Sequence, residues 1–122
     1  MKVERELMRG AGPFAVMKLL RQREMYGYEL VDALSAHTDG VLAMGQSTLY
    51  PMLYNLQAKG YVNSRWRQAD SGRQRKYYAL TRRGLQRLAT ETRQWQSLVN
   101  AIALLGVIAE PSDATAVSEA PA

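Results

Sequence analysis

The chain has 122 residues, 47% of them hydrophobic, which suits one folded domain with a docking helix and argues against wholesale disorder. Sixteen Lys and Arg against eleven Asp and Glu leave a formal net charge of +5, and the absence of cysteine excludes disulfide scaffolds, thiolate zinc sites and cysteine nucleophiles. One histidine, His37, leaves little for imidazole catalysis, and no apolar run approaches the roughly 18 residues that span a bilayer.

Arg21, Arg23 and Glu24 interrupt the first apolar stretch before any small-residue cleavage site, so residues 1–24 do not read as a signal peptide. A cytoplasmic, non-membrane protein is expected. No catalytic residues, no cofactor and no metal site are expected either, because nucleophile–base pairs, phosphate-cradling glycine loops and usefully spaced carboxylate pairs are all missing.

The first helix is expected over residues 13–22. Pro13 suits a first helical position, and Phe14, Met17 and Leu20, flanked by Val16 and Leu19, make a broad apolar stripe opposite Lys18, Arg21 and Gln22. A short leading helix within 1–10 would carry Val3, Leu7 and Met8. A second helix over 26–37 turns Leu30, Val31 and Leu34 inward. Gly27, between Tyr26 and Tyr28, costs roughly 1 kcal/mol relative to Ala in a helix, so it implies a close approach by another helix. Thr38-Asp39-Gly40 then reads as a turn.

A third helix over 46–59 follows, with Gly45 or Ser47 as its N-cap. Leu49, Met52, Leu53 and Leu56 follow the i, i+3, i+4, i+7 pattern of a buried face. Gln46, Ser47, Thr48, Tyr50, Tyr54 and Asn55 are left for the other side. Pro51 is expected to bend this helix if it lies past the first turn, and Lys59-Gly60 supplies a terminal cation and a glycine stop.

A hairpin comes next. Val62 and Trp66 share one parity in 61–67 and the arginines the other; Gln68–Gly72 is turn material; Lys76–Leu80 returns with Tyr78 and Leu80 facing inward. Residues 61–95 hold nine cations, eight of them Arg, against Asp70 and Glu91. That is a local net of +7, so the remainder of the chain is −2. Arginine's planar fork suits phosphate, and Trp66, Tyr77 and Tyr78 lie among these cations, as aromatics do on many nucleic-acid surfaces.

Residues 81–107 read as one long helix with Thr81 as N-cap. Leu85, Leu88, Thr92, Trp95, Val99, Ile102 and Gly106 alternate at spacings of three and four, an a/d seam that Leu98 and Leu105 widen. Such a helix spans roughly 40 Å at 1.5 Å per residue, more than so small a domain can cover. The seam therefore needs a partner, and a second copy is the simplest. Residues 109–122, rich in Ala, Ser, Pro, Thr and acids, are expected to be a disordered tail.

The order of elements makes the expected fold mostly α with a small β-hairpin. It is a winged helix-turn-helix domain (1–80) with a long C-terminal dimerisation helix (81–108). A third helix of this kind fits a major groove about 12 Å wide, and the hairpin can reach phosphates.

Three blocks carry a family resemblance: Tyr26-Gly27-Tyr28-Glu29-Leu30, Thr48-Leu49-Tyr50-Pro51-Met52-Leu53, and Gly72-Arg73-Gln74-Arg75-Lys76-Tyr77-Tyr78-Ala79-Leu80-Thr81, continued by Gly84. In order and spacing they resemble the PadR-like transcriptional regulators, bacterial winged-helix proteins, in the compact form with a single C-terminal helix. The resemblance covers about residues 7–105. It implies a homodimeric repressor of double-stranded DNA, released by a small molecule or another signal.

Carried over by residue, it implies DNA contacts from Ser47, Thr48, Tyr50 and Tyr54, with Gln46 beside them, and a wing contact from Arg73, Arg75 and Lys76. Ser47 stands where the family often has Gly, and Gln74 where it commonly has Arg, which weakens one phosphate contact. Leu85, Leu88, Thr92, Trp95, Leu98, Val99, Ile102 and Leu105 would form the dimer interface. Some compact members bind flat aromatic compounds between paired tryptophans, and Trp95 looks like the equivalent residue, with Met8, Val99 and Ile102 lining the same space. The simpler reading of Trp95 is interface core. A winged-helix adaptor or ligand-binding protein without operator binding is the alternative function, which the basic cluster disfavours.

Overall fold

A computed structural model describes residues 1–106 of the chain. The expected tail and the last residues of the long helix lie outside that range. Met1–Leu88 form one compact unit, and the described residues from Ala89 belong to a second.

The chain opens with α1, Arg5–Gln22. This corrects the expectation of a short leading helix followed by a break: Pro13 lies inside the helix, not at its first position. Met8, Gly12, Val16, Met17, Leu19 and Leu20 are buried along it, a stripe that passes through Pro13 without interruption. Each large apolar side chain buried contributes about 1.5–3 kcal/mol, and several of them together outweigh the roughly 3 kcal/mol an internal proline costs.

A two-residue strand, β1 (Met25–Tyr26), precedes α2 (Gly27–His37). Glu29 accepts the backbone N–H of Tyr26 through Oε1, which fixes the start of α2. At the far end the Thr38 hydroxyl donates to the Leu34 carbonyl and accepts from Leu42 N–H. Asp39 and Gly40 complete that turn at positive φ. Helix α3 spans Gln46–Ala58, with Gly45 as N-cap and Pro51 inside it.

Strands β2 (Val62–Gln68) and β3 (Gln74–Leu80) form the expected hairpin. The sheet has three strands in the order β1-β3-β2, all antiparallel, because Met25 and Tyr26 pair with Tyr78 and Tyr77. In the hairpin Val62 faces Leu80, Ser64 faces Tyr78 and Trp66 faces Lys76. Val62 and Tyr78 are buried, whereas Trp66 is 67% exposed, so the shared parity leads out of the core toward the turn.

Helix α4 runs Arg82–Leu104. The Thr81 hydroxyl accepts the N–H of Gly84, as expected of an N-cap, and donates to the carbonyls of Gly60 and Tyr61. The helix stops earlier than its periodicity suggests. Gly106 has φ +77, outside the helical region, and so ends the helix in place of extending the seam. The core joins α1, α2, α3, the inner sheet face and Leu88; Val16, Leu30 and Leu49 are fully buried in it.

Candidate nucleic-acid interface

Helix α3 is divided as its pattern requires. Leu49, Leu53 and Leu56 are buried, and Ser47, Thr48, Tyr54 and Asn55 face solvent; Tyr54 is 74% exposed. Gln46 is half-buried. Tyr50 has two neighbourhoods. Its ring is 42% exposed, yet its hydroxyl end lies against Gly27, where an added Cβ would sit 2.8 Å from Tyr50 Cζ. That is the close approach Gly27 implies, and the element that approaches is α3. Burial pushes the Tyr78 phenol above its ordinary value, and Tyr50 adds to the rise. The exposed edge of α3 therefore adjoins the inner face of the hairpin. The Ser64 hydroxyl donates to Gln57 Oε1 of α3 at 3.1 Å and ties the two together.

The hairpin's two faces differ in charge. Arg65, Arg67, Arg75 and Tyr77 lie on its outer face with Tyr26. There the Arg67 guanidinium sits 3.9 Å over the Tyr77 ring, Arg75 sits 4.3 Å over Tyr26, and the two tyrosines meet edge to face at 5.4 Å. This stack buries Tyr77, which alternation alone would leave outward. Glu24 pairs with both Arg65 and Arg67, and Arg23 pairs with Glu29. Contact with the Tyr77 side chain, then Glu24, holds Arg67 above its already high ordinary value.

The wing residues singled out in the sequence are thus split. Lys76 is on the α3 side, Arg75 is half-buried on the outer face, and Arg73 is exposed in the turn. Sequence reasoning does not single out Glu24, because its partners lie 41 and 43 residues downstream and no local pattern marks it.

Other expected site residues fall elsewhere. Met8 is buried in the first unit, beside an open groove of about 610 Å³ between the start of α1 and α3. Trp95, Thr92 and Ile102 are half-buried on α4, and Leu98, Val99 and Leu105 are exposed. Leu85 is 47% exposed, but Leu88 is only 3% exposed, taken into the core of its own chain and so withdrawn from the expected seam. Among the described residues no helix is long and apolar enough to cross a membrane, and no group of three His, Asp or Glu is placed to hold a metal ion.

Three helices, an antiparallel wing and a polar recognition face define a winged-helix, DNA-binding transcription regulator. Comparison with known proteins narrows the class. The model of the transcriptional regulator PadR-like family matches residues 16–90, well over half of the chain. A PadR family transcriptional regulator from Eggerthella lenta is 34% identical, with TM-score 0.72 over 85% of this chain and 88% of that one. A Streptococcus transcriptional regulator is 29% identical, with TM-score 0.75 over 84% and 99%. An uncharacterized protein X of Lysinibacillus sphaericus is 26% identical over 84% of this chain and 94% of its own. The chain belongs to the PadR-like family of transcriptional regulators, whose function is regulatory and not enzymatic.

Proposed function

We propose that the protein is a cytoplasmic homodimeric repressor of the compact PadR-like kind. Residues 1–80 would bind DNA, and α4 would pair two copies. In this reading α3 enters the major groove, where Ser47, Thr48, Tyr50 and Tyr54 meet base edges and Gln46 meets the backbone; Arg73, Arg75 and Lys76 contact phosphates. The observation that carries it is the division of α3: a buried leucine face, and opposite it an exposed row of hydroxyl and phenol groups beside the hairpin.

Leu85, Thr92, Trp95, Leu98, Val99, Ile102 and Leu105 supply the dimer seam; Leu98, Val99 and Leu105 are apolar surface exposed on a single chain. A planar aromatic effector is held between Trp95 and its symmetry mate, bounded by Val99 and Ile102 of the same helix, and its binding releases DNA.

Duplex binding measured against salt tests the DNA assignment. Each phosphate neutralised contributes about −0.9 to the slope of log K against log salt. Arg73→Ala is expected to weaken binding to all duplexes about equally and to flatten that slope by about 1 per protomer, about 2 for the dimer. Thr48→Ala is expected to narrow the gap between the protein's own upstream region and random DNA. Equal losses from both variants on both DNAs would contradict the roles, and no shift with either DNA would favour a winged-helix adaptor.

A further inference from the structure

The α3-facing side of the hairpin carries a residue that the proposed contacts leave out. Its rungs run from the core toward the turn: Val62 opposite Leu80, Ser64 opposite Tyr78, Trp66 opposite Lys76, Gln68 opposite Gln74. The first two are anchored, Val62 and Tyr78 by burial and Ser64 by its hydrogen bond to Gln57 of α3. Trp66 is therefore the first rung beyond the edge of α3, and the register fixes its side. It is 67% exposed.

No carboxylate lies on these four rungs. The opposite face has Glu24 drawn against its arginines. The Lys76 ammonium lies 5.9 Å from the Tyr78 ring, and among the described residues no acid forms a salt bridge with it. This side thus presents an apolar plate with an N–H donor beside an ammonium, level with the recognition helix.

We propose that Trp66 is a DNA-contact residue. With α3 in the major groove, its indole packs on deoxyribose rings of the adjoining sugar–phosphate wall, its N–H donates to a phosphate oxygen, and Lys76 meets the neighbouring phosphate. The contact meets sugar and phosphate and reads no base edge, so it supports affinity more than base choice. It rests on the DNA-binding reading above and extends that surface from α3 onto the hairpin's inner face.

The full chain, labelled with 5-fluorotryptophan, gives two fluorine resonances, one for each tryptophan. The resonance absent from Trp66→Phe is that of Trp66. Addition of a 24-base-pair duplex bound in a gel shift is expected to move and broaden the Trp66 resonance. Trp66→Ala is expected to weaken binding about tenfold on specific and random duplexes alike, and Trp66→Phe to restore most of it. Thermal melts check that both variants fold; an exposed site predicts little change in Tm. A Trp66 resonance that stays put while the gel shift reports saturation overturns the proposal and leaves DNA binding intact. So does a folded Trp66→Ala that binds as tightly as the parent. No gel shift with any duplex overturns the DNA-binding reading, and this inference with it.

Discussion

Two glycines show how single positions constrain the surface. A Cβ at Gly84 would run into the Tyr61 carbonyl, with Leu80 Cδ1 only 2.8 Å away. Backbone cannot swing aside, so Gly84→Ala must shift the start of α4 against the turn that enters the hairpin. A Cβ at Gly27 would meet the phenol end of Tyr50, which can rotate outward. Gly84→Ala is therefore expected to destabilise by about 2–3 kcal/mol in urea unfolding, and Gly27→Ala by about 1 kcal/mol or less. Gly27→Ala would instead displace Tyr50 and weaken DNA binding. A larger loss of stability from Gly27→Ala than from Gly84→Ala would contradict this ranking. The sequence showed that Gly27 needed a close neighbour, since a glycine in a helix start has no other use there. It did not show that the neighbour was Tyr50, because that contact depends on how two helices cross.

At the scale of elements, charge counting and structure part company. The local net of +7 over 61–95 is legible as a basic surface, but charge counting does not show which of its arginines are paired. The three-stranded sheet does: β1 lies against β3, and Glu24 just before β1 reaches Arg65 and Arg67 of β2. A strand of two residues has no periodicity to detect, so neither β1 nor the pairing was legible. The continuous α1 was hidden for the opposite reason: Pro13 is a strong local signal, overruled by a buried stripe that only tertiary packing creates. The elements with long periodic patterns, α3 and the hairpin, were read correctly. The Glu24 pairs with Arg65 and Arg67 join exposed guanidinium groups, so solvent screening leaves them little weight in stability. Their larger effect is on which charges DNA meets. Glu24→Gln is expected to leave unfolding midpoints nearly unchanged. It should strengthen binding to random duplexes at low salt several-fold and steepen the salt slope by about 1 per protomer, as a guanidinium is freed in each. An unchanged slope would mean that Arg65 and Arg67 do not reach phosphates even when released.

The whole molecule turns on the exposed apolar side chains of α4. Leu98 of α4 is 49% exposed on a single chain, Leu105 just past the helix end is 78% exposed, and Trp95 lies on the same helix as Leu98. Their heptad spacing was legible in the sequence, apart from Leu88, which the chain keeps for itself, and Gly106, whose positive φ closes the helix. In the proposed dimer, Trp95→Ala should abolish the quenching of tryptophan emission by planar aromatic compounds, measured in a Trp66→Phe background. An equal response with and without Trp95 would remove it from the effector site. The same dimer sets the geometry of recognition, since two copies related by a two-fold axis present two α3 helices to one face of the duplex. Selection of bound sequences from a random duplex pool tests this most directly. The proposed dimer should enrich an inverted repeat with half-site centres about one helical turn, or a multiple of it, apart, and Thr48→Ala should lose base preference within each half-site. A pool that returns unenriched, or that enriches a motif whose preference Thr48→Ala leaves unchanged, would contradict it.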